Sequence, residues 1–321
     1  MLTTYGPGVG CTLSGQVVDC RPGAKLILEI PAKTEQRMVT PIQNILFPVD
    51  FSQSCTAMAA YVKRAAAICG ARVTLVHVFD LTGHNGFELC VRPLVDIEEE
   101  HRELARQKLD SYLKTEFPLG SCPRVLLSGD VAREIAELAN TSGFDLITMP
   151  THAGSFRRML LGSTTAKVLN DADCPVLTTQ HAEGVVPRPM EHREWLCAIG
   201  LDGNSERLLR YASGFASAAQ ARLSLVHVVP AVDGALPVRS GVEEQERKAH
   251  QRIEELQRTV GCQVPVRIAT GPVKETLLEE ARRSDADVLV IGRSPQPGTR
   301  GRIRDLTYTV GRDSPCPVAS V

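Results

Sequence analysis

The feature that most constrains the fold of this chain is an internal repeat. The segment "ARVTLVHV" at 71–78 returns as "ARLSLVHV" at 221–228. A longer segment, "SGDVAREIAELANTSGFDLITM" at 128–149, returns as "TGPVKETLLEEARRSDADVLVI" at 270–291. Landmarks that recur in the same order, with the differences confined to loop length, indicate a tandem duplication of one folding unit.

Two further pairs extend the repeat to both ends of each copy. "DADCPVL" is answered by "RDSPCPVA", and "ILFPVDFSQS" is answered by "CAIGLDGNSE". The second alignment pairs Asp50 with Asp202, at the end of an apolar run in both copies. The separation of the copies falls from 152 residues at these aspartates to 142 at the "CPV" segments, so we expect the copies to differ in loop length.

Each copy alternates short apolar runs with amphipathic stretches. In the first copy the apolar runs are "NILFPVD", "RVTLVHVFD", "RVLLS" and "DLITM", with a last strand after "CPVL". Between them lie an Ala-rich helical stretch that stops at Gly70 and the helical patterns "DIEEEHRELARQKLDSYLKTE", "VAREIAELANTS" and "STTAKVLNDA". Continuously apolar strands that alternate with helices indicate a parallel sheet covered on both faces. The predicted fold class is therefore α/β, with two tandem doubly wound domains, each with five parallel strands and four helices.

The repeat divides the chain into four segments. We predict a partly flexible N-terminal extension over 1–40, a first domain over 41–180, a linker over 181–193 and a second domain over 194–321. Within the extension, "GAKLILEI" has the composition of an edge strand.

The composition argues against several classes of function. The chain is 43% hydrophobic and 23% charged with a net charge of −1, which gives no electrostatic reason to expect nucleic acid or an anionic membrane as partner. No apolar run approaches the roughly 20 residues that cross a bilayer, and the N-terminus has no secretory pattern. The ten cysteines lack a CxxC pair or a zinc-type spacing. We therefore expect a cytoplasmic protein with reduced thiols and no metal site.

The carboxyl ends of the strands are where a doubly wound sheet binds its ligands. In the first copy this edge carries Asp50, the end of "LVHV", and the loop "PTHAGSFRRMLLGST" at 150–164. That loop follows a strand and ends in small hydroxyl residues that open a helix, which is the place of a phosphate-binding loop.

Five features in order, "ILFPVDFS", "LVHV", the Gly129–Asp130 step, "THAGSFRRMLLGST" and "CPVL", resemble the universal stress protein family. The resemblance covers about residues 42–180 and, more weakly, 194–321. It implies the fold derived above in a tandem two-domain form. Many members of the family bind ATP, and others bind no nucleotide. We expect the two copies to form an internal pseudo-dimer through the sheet edges after "CPVL", and the whole chain could form a homodimer.

In ATP-binding members the signature is Gly, two residues, Gly, nine residues, then Gly-Ser/Thr; an Asp ends the first strand and meets the adenosine, and a Val closes the second. This chain has Pro150 and Ala153 at the two early glycine positions, and eight residues before Gly162. Pro150 removes one N–H donor, and Ala153 obstructs the loop only if it needs a positive φ, while Arg157 could supply charge in their place. The resemblance implies an ATP site, with or without Mg²⁺, made by Pro48, Val49, Asp50, Val78, Met149, Thr151, His152, Ala153, Arg157, Gly162, Ser163 and Thr164.

The second copy departs further from the signature. It keeps Gly292 but has Pro295 at the second glycine position, and Arg304 and Asp305 at the Gly-Ser positions. An aspartate there repels phosphate and is better suited to cap the helix. The weaker candidates in this copy are Asp202, Val228, Gly292 and Arg293, and we expect no triphosphate binding.

Other interpretations stay open for single residues. Asp50 suits a ribose contact and a helix N-cap equally, whereas the cap is favoured for Asp202. His77 and His227 lie among apolar neighbours and are interpreted as structural, so His152 is the better candidate for a ligand contact.

No catalytic set is present in the sequence. The G-x-S-x-G, G-x-x-x-x-G-K-[ST] and H-E-x-x-H motifs are absent, as are the "HIGH" and "SGGxDS" signatures of adenylyl-transferring relatives of this fold. The leading hypothesis is a regulatory module whose ligand gates binding to an unidentified protein partner, with slow ATP hydrolysis at most. The alternatives are a ligand-free scaffold that acts through protein contacts and an enzyme of the wider adenine-nucleotide α-hydrolase-like group.

Overall fold

The computed structural model describes residues 10–13, 16–19, 42–79, 94–151, 161–179, 192–230, 239–293 and 306–321. A hairpin of β1 (Gly10–Leu13) and β2 (Gln16–Asp19) comes first. The first copy contains β3 (Asn44–Pro48), α1 (Gln53–Cys69), β4 (Arg72–Phe79), α2 (Leu94–Ser111), β5 (Arg124–Ser128), α3 (Val131–Thr141), β6 (Leu146–Pro150), α4 (Ser163–Asp171) and β7 (Val176–Thr179). The second contains β8 (Glu194–Ala198), α5 (Ser205–Ala218), β9 (Arg222–Pro230), α6 (Arg239–Val260), β10 (Val266–Gly271), α7 (Val273–Arg283), β11 (Val288–Ile291), α8 (Leu306–Asp313) and β12 (Val318–Ser320).

The two copies share one ten-stranded sheet in the order β10-β9-β8-β11-β12-β7-β6-β3-β4-β5. Neighbouring strands within each copy are parallel, and the β12–β7 pair that joins the copies is antiparallel. The order within each copy is third, second, first, fourth, fifth, so the switch point lies between the first and fourth strands. This confirms the predicted fold class of two tandem doubly wound α/β units.

Local signals placed most elements correctly. Helix α1 begins after Ser52, whose side chain accepts from the Cys55 amide, and ends at Gly70 with φ 64°. Strand β7 starts at Val176, two residues earlier than the pattern after "CPVL" placed it. The hairpin of β1 and β2 was missed, although a Ser-Gly pair between two short runs is a hairpin signal. "GAKLILEI" and linker residues 181–191 lie outside the described residues.

Strand register fixes which residues correspond between the copies. The first strand of each copy pairs with its second strand at the same offset, which makes His77 equivalent to His227. The loops that follow agree, because Phe51 and Leu201 both have a positive φ, 63° and 57°. The copies are therefore 150 residues apart throughout this region.

The same register pairs Asp50 with Gly200 and Ser52 with Asp202. The sequence alignment of Asp50 with Asp202 was therefore wrong by two residues. It matched one shared letter in a short loop, whereas strand pairing requires a constant spacing. The second copy thus has no carboxylate at the position of Asp50.

The core on one face of the sheet runs through both copies. Phe47, Leu75 and Leu109 of the first copy belong to the same buried cluster as Trp195 and Leu209 of the second. The opposite face carries two separate clusters, one under α3 and α4 and the other under α7 and α8. Because each large side chain contributes about 1.5–3 kcal/mol when buried, the shared core couples the folding of the two copies.

The copies meet where β7 pairs with β12, which are the edges that the sequence predicted. A second contact between the copies is made by His192, which lies between the rings of Tyr61 on α1 and Trp195 on β8, with ring centroids 5.6 Å from each. The indole Nε1 of Trp195 donates to His192 Nδ1 at 3.2 Å, so this nitrogen is unprotonated. Burial lowers the pKa of His192, the charge of Asp287 opposes this, and Arg64 adds to it.

Stability should therefore depend on the protonation of His192. Because its folded pKa lies below the unfolded value of about 6.5, its contribution is complete above that pH and declines as the pH falls from there to the folded pKa. One proton limits the slope to about 1.4 kcal/mol per pH unit. Urea unfolding followed by fluorescence of the single tryptophan, Trp195, at about pH 7.5 and pH 5.5 measures it. His192→Gln keeps an acceptor without titrating and should lose less stability; an equal loss in both proteins contradicts the assignment.

Candidate functional site

The site begins where the chain leaves β3. The Val49 amide donates to the Val76 carbonyl at 2.8 Å, and the Val49 carbonyl is 2.7 Å from His77 Nδ1. A carbonyl only accepts, so Nδ1 carries the proton. The His77 ring also contacts Phe51, with centroids 4.3 Å apart. His227 makes the equivalent 2.7 Å bond in the second copy, which supports the structural interpretation of both histidines.

Asp50 follows directly and is exposed. Its Oδ1 accepts from the Ser52 amide at 2.9 Å, which closes a turn. Partial desolvation raises the pKa of Asp50. Hydrogen bonds from Ser52 and Cys55 lower the pKa by more than desolvation raises it, so the pKa of Asp50 lies below the usual value. The group is therefore ionised at neutral pH. Ser52, and not Asp50, caps α1, since its Oγ accepts from the Cys55 amide at 3.2 Å.

The start of α4 is attached to the end of the neighbouring strand β6. The Gly162 amide donates to the Thr151 carbonyl at 2.8 Å, and Thr165 Oγ1 donates to the Pro150 carbonyl at 3.1 Å. Thr151 is held in turn by Thr179, whose carbonyl accepts from both its amide and its hydroxyl at 3.0 Å. Within the described residues, no side chain caps α4 at Gly162. The first-turn N–H groups and the positive end of the helix dipole therefore face the ligand edge.

The described candidates of the first copy lie at this one edge. Pro48, Val78 and Met149 are buried near the ends of three adjacent strands, while Ser163 is exposed at the helix start. His152, Ala153 and Arg157 lie outside the described residues, and their roles stay predictions. The sequence thus selected residues that the fold brings to a common edge, from β3, β4, β6 and α4.

A phosphate group fits this edge, but with fewer donors than a glycine-rich loop offers. Pro150 has no N–H, and the N–H of Gly162 is already bonded to Thr151. Among the residues that the structure describes at this edge, the first turn of α4 has no side-chain cap at Gly162, and it can offer an anion its amides together with the hydroxyls of Ser163 and Thr164.

The same edge of the second copy is built differently. Gly200 stands where the first copy has Asp50, and Asp202 accepts from the Asn204 amide and the Ser205 hydroxyl at 3.0 and 3.1 Å. Asp202 thus closes a turn before α5, but the N-cap of this helix is Asn204, so the interpretation of Asp202 as the cap was wrong. The Asn204 side chain donates to the carbonyls of Arg293 at 3.1 Å and Val321 at 3.4 Å, so it bridges the ends of β11 and β12. Two other candidates, Val228 and Gly292, lie near the ends of β9 and β11.

Arg293 turns away from this edge toward the first copy. Its Nη1 donates to the carbonyls of Leu169 and Ala172 at 2.9 and 2.8 Å, and its Nη2 donates to the Cys174 carbonyl at 2.8 Å. The residue was proposed as a weak anion contact in its own copy, and the structure instead engages its guanidinium at the end of α4. No local pattern around Arg293 signals this contact, which spans more than a hundred residues of sequence.

Within the described part of the chain, no group of three or more His, Cys, Asp or Glu side chains is arranged to hold a metal ion. In the same residues, no helix combines the length and the apolar character that crossing a bilayer requires.

Together, the shared ten-stranded sheet and its two switch points define a tandem doubly wound α/β protein. The model of the universal stress protein family matches residues 41–180 and 193–321, and the chain belongs to this family. The match in two separate segments confirms the resemblance noted in the sequence.

Individual relatives match one copy or the whole chain. Universal stress protein MJ0577 of Methanocaldococcus jannaschii is 26% identical over 153 residues, which cover 43% of this chain and 94% of the relative. A universal stress protein of Thermus aquaticus is 32% identical over 143 residues, 42% of this chain and 96% of the relative. The crystal structure of a universal stress protein from Archaeoglobus fulgidus has a TM-score of 0.60 at 21% identity, covers 86% of this chain and 95% of its own, and supports the fold alone.

Proposed function

We propose that this chain is a cytoplasmic regulatory protein that binds an adenine nucleotide in its first domain, 41–180, while its second domain, 194–321, is a paired partner without nucleotide. One observation carries the proposal: the ligand edges of the two copies differ. The first copy combines the ionised carboxylate of Asp50 with the uncapped start of α4. In the second copy Gly200 replaces that carboxylate, and Asn204 bridges the strand ends.

Each part of the nucleotide has a matching group in the first copy. The Asp50 carboxylate can accept from ribose hydroxyls, and the backbone at Val78, on the adjacent strand β4, suits an adenine edge. The first turn of α4 suits phosphate oxygens, since amide N–H groups and the helix dipole both favour negative charge there. Because Pro150 and Gly162 contribute no free N–H, we expect weaker binding than a loop with both glycines would give.

The mode of action follows from what the site lacks. Neither the sequence nor the described edge supplies a nucleophile–base pair, so we assign no catalytic reaction and at most slow ATP hydrolysis. Occupancy of the first copy would instead alter contacts with a protein partner. The second candidate is a scaffold without nucleotide. It is favoured by the bond from the Gly162 amide to the Thr151 carbonyl, because that amide is then not available to a phosphate oxygen.

Calorimetric titration with ATP, with and without Mg²⁺, tests the proposal. Asp50→Ala should weaken binding about tenfold to a hundredfold, because a hydrogen bond to a charged group contributes about 1.5–3 kcal/mol. Asp202→Ala is the matched control: it should leave the affinity unchanged and destabilise the start of α5 by about 1 kcal/mol through loss of the bonds from the Asn204 amide and the Ser205 hydroxyl.

Two outcomes would contradict the proposal. An absence of heat with the wild-type protein, confirmed by no thermal stabilisation at saturating ATP, favours the scaffold. Binding that depends on Asp202 but not on Asp50 would move the site to the second copy.

A further inference from the structure

We propose that Arg293 is a positioning residue through which the second copy holds the anion-binding end of α4 in the first copy. The inference rests on the proposed function for its ligand, but its structural part can be tested without nucleotide. It assigns to the second copy a role that an empty ligand edge alone would not explain.

The first step is the contact at the C-terminal end of α4. The last carbonyls of a helix lack intrahelical donors, and a cation placed among them also interacts favourably with the negative end of the dipole. Arg293 supplies both the donors and the positive charge, because its guanidinium donates to the carbonyls of Leu169, Ala172 and Cys174 at 2.8–2.9 Å. Burial lowers the pKa of Arg293, yet arginine stays protonated at neutral pH.

The second step is that α4 is short and fixed at both ends. Its nine residues span about 13 Å, so the two ends move together as one rigid body. At the N-terminal end, Gly162 bonds to Thr151 and Thr165 bonds to Pro150, beside the first-turn amides proposed to hold phosphate. A displacement of the C-terminal end would therefore be felt at those amides.

The third step is that Arg293 is itself part of the ligand edge of the second copy. Its amide donates to the Val321 carbonyl at 2.8 Å, and its carbonyl accepts from Asn204 at 3.1 Å. The backbone of Arg293 is bonded within the ligand edge of the second copy. Its side chain is bonded to α4, the helix whose first turn belongs to the ligand edge of the first copy. The guanidinium is thus the physical connection between the two.

The arrangement is asymmetric, because the described residues of the first copy make no equivalent contact. The residue equivalent to Arg293 in the first copy is Thr151, whose carbonyl receives the Gly162 amide and whose side chain bonds to Thr179 in the same copy. These bonds of Thr151 are all to residues of the first copy, and none of them joins it to the second copy. We infer that contacts made on the second copy bias the anion site of the first, and, by linkage, that nucleotide in the first copy biases those contacts.

The experiment compares Arg293→Met, Arg293→Lys and Arg207→Met in the full chain. Arg207 also crosses between the copies, and it serves as the matched control because it donates to the Asp173 carbonyl at 2.6 Å, two residues beyond the end of α4. Two quantities are measured at a temperature where thermal melts show each protein folded: the Kd for ATP, and hydrogen exchange of the Gly162 and Ala166 amides relative to the Leu46 amide in β3.

Arg293→Met should weaken ATP binding about tenfold and speed exchange at Gly162 and Ala166 by a similar factor. Arg293→Lys keeps the charge but cannot donate to three carbonyls at once, so it should fall between Met and wild type. Arg207→Met should stay within about twofold of wild type in both measurements.

A lower melting temperature with unchanged Kd and unchanged exchange at Gly162 would make Arg293 a purely structural clamp and overturn the proposal. If the wild-type protein binds no ATP, the proposed function fails, and the exchange at Gly162 alone decides whether the coupling exists. Should Arg293→Met not fold, Arg293→Lys decides, because wild-type exchange in that variant also contradicts the coupling.

Discussion

Replacing Arg124 with methionine should lower the free energy of unfolding by about 3–5 kcal/mol, a large effect for a single substitution. Arg124 lies on β5 and is 8% exposed. Its guanidinium donates to the carbonyls of Leu109, of Tyr112 at 2.7 Å and of Phe117 at 2.9 Å, at and beyond the end of α2. Methionine fills a similar volume, so the expected loss comes from the three charge-assisted hydrogen bonds, two of which are fully buried.

The same substitution should reach the candidate site. Tyr112 donates to the Ser52 carbonyl at 3.3 Å, and its ring contacts Phe51, next to Asp50. Urea unfolding followed by Trp195 fluorescence measures the stability. Arg133→Met, which removes an exposed arginine paired with Glu134 at 2.9 Å, is the control and should cost less than about 0.5 kcal/mol. A loss below about 1 kcal/mol at Arg124 would show that water replaces the guanidinium.

Gly129→Ala is expected to cost about 2–3 kcal/mol. Gly129 has φ 138°, a conformation that is essentially restricted to glycine, and an added Cβ would lie 2.9 Å from a carboxylate oxygen of Glu134. Because Glu134 can move, most of the cost is backbone strain. The position recurs as Gly271 with φ 156°, so both copies require the same turn between the third strand and the third helix.

Gly70→Ala is the comparison for Gly129→Ala, because Gly70 is an ordinary left-handed residue at the end of a helix. Gly70 has φ 64°, in the left-handed region that other residues enter at moderate cost, and nothing lies within 4 Å of an added Cβ. We expect a loss of about 1 kcal/mol there. Thermal and urea unfolding of the two variants measure the difference, and equal losses would contradict the strain assigned to Gly129.

The sequence alone was sufficient to predict the strands and helices of the two copies and to group the residues of the candidate edge, although it did not reveal the β1–β2 hairpin. Period and composition predicted the strands and helices, Gly70 marked the end of α1, and the order of landmarks identified a duplication. The edge was accessible for the same reason: in a doubly wound fold the residues that follow the strands share one side, so Asp50, Thr151 and Gly162 could be grouped before any distance was known.

Side-chain pairing across the fold was not accessible in this way. The roles of Arg124 and Arg293 depend on which carbonyls a long side chain can reach after packing, and no local pattern encodes that. The equivalence of Asp50 with Gly200, and the choice of Ser52 as the cap of α1, likewise needed strand register and hydrogen-bond geometry. Local backbone preferences and burial patterns depend on neighbouring residues, so the sequence by itself determines them. Contacts between the copies arise only when the sheet forms, because the folded sheet brings residues more than a hundred positions apart within hydrogen-bonding distance.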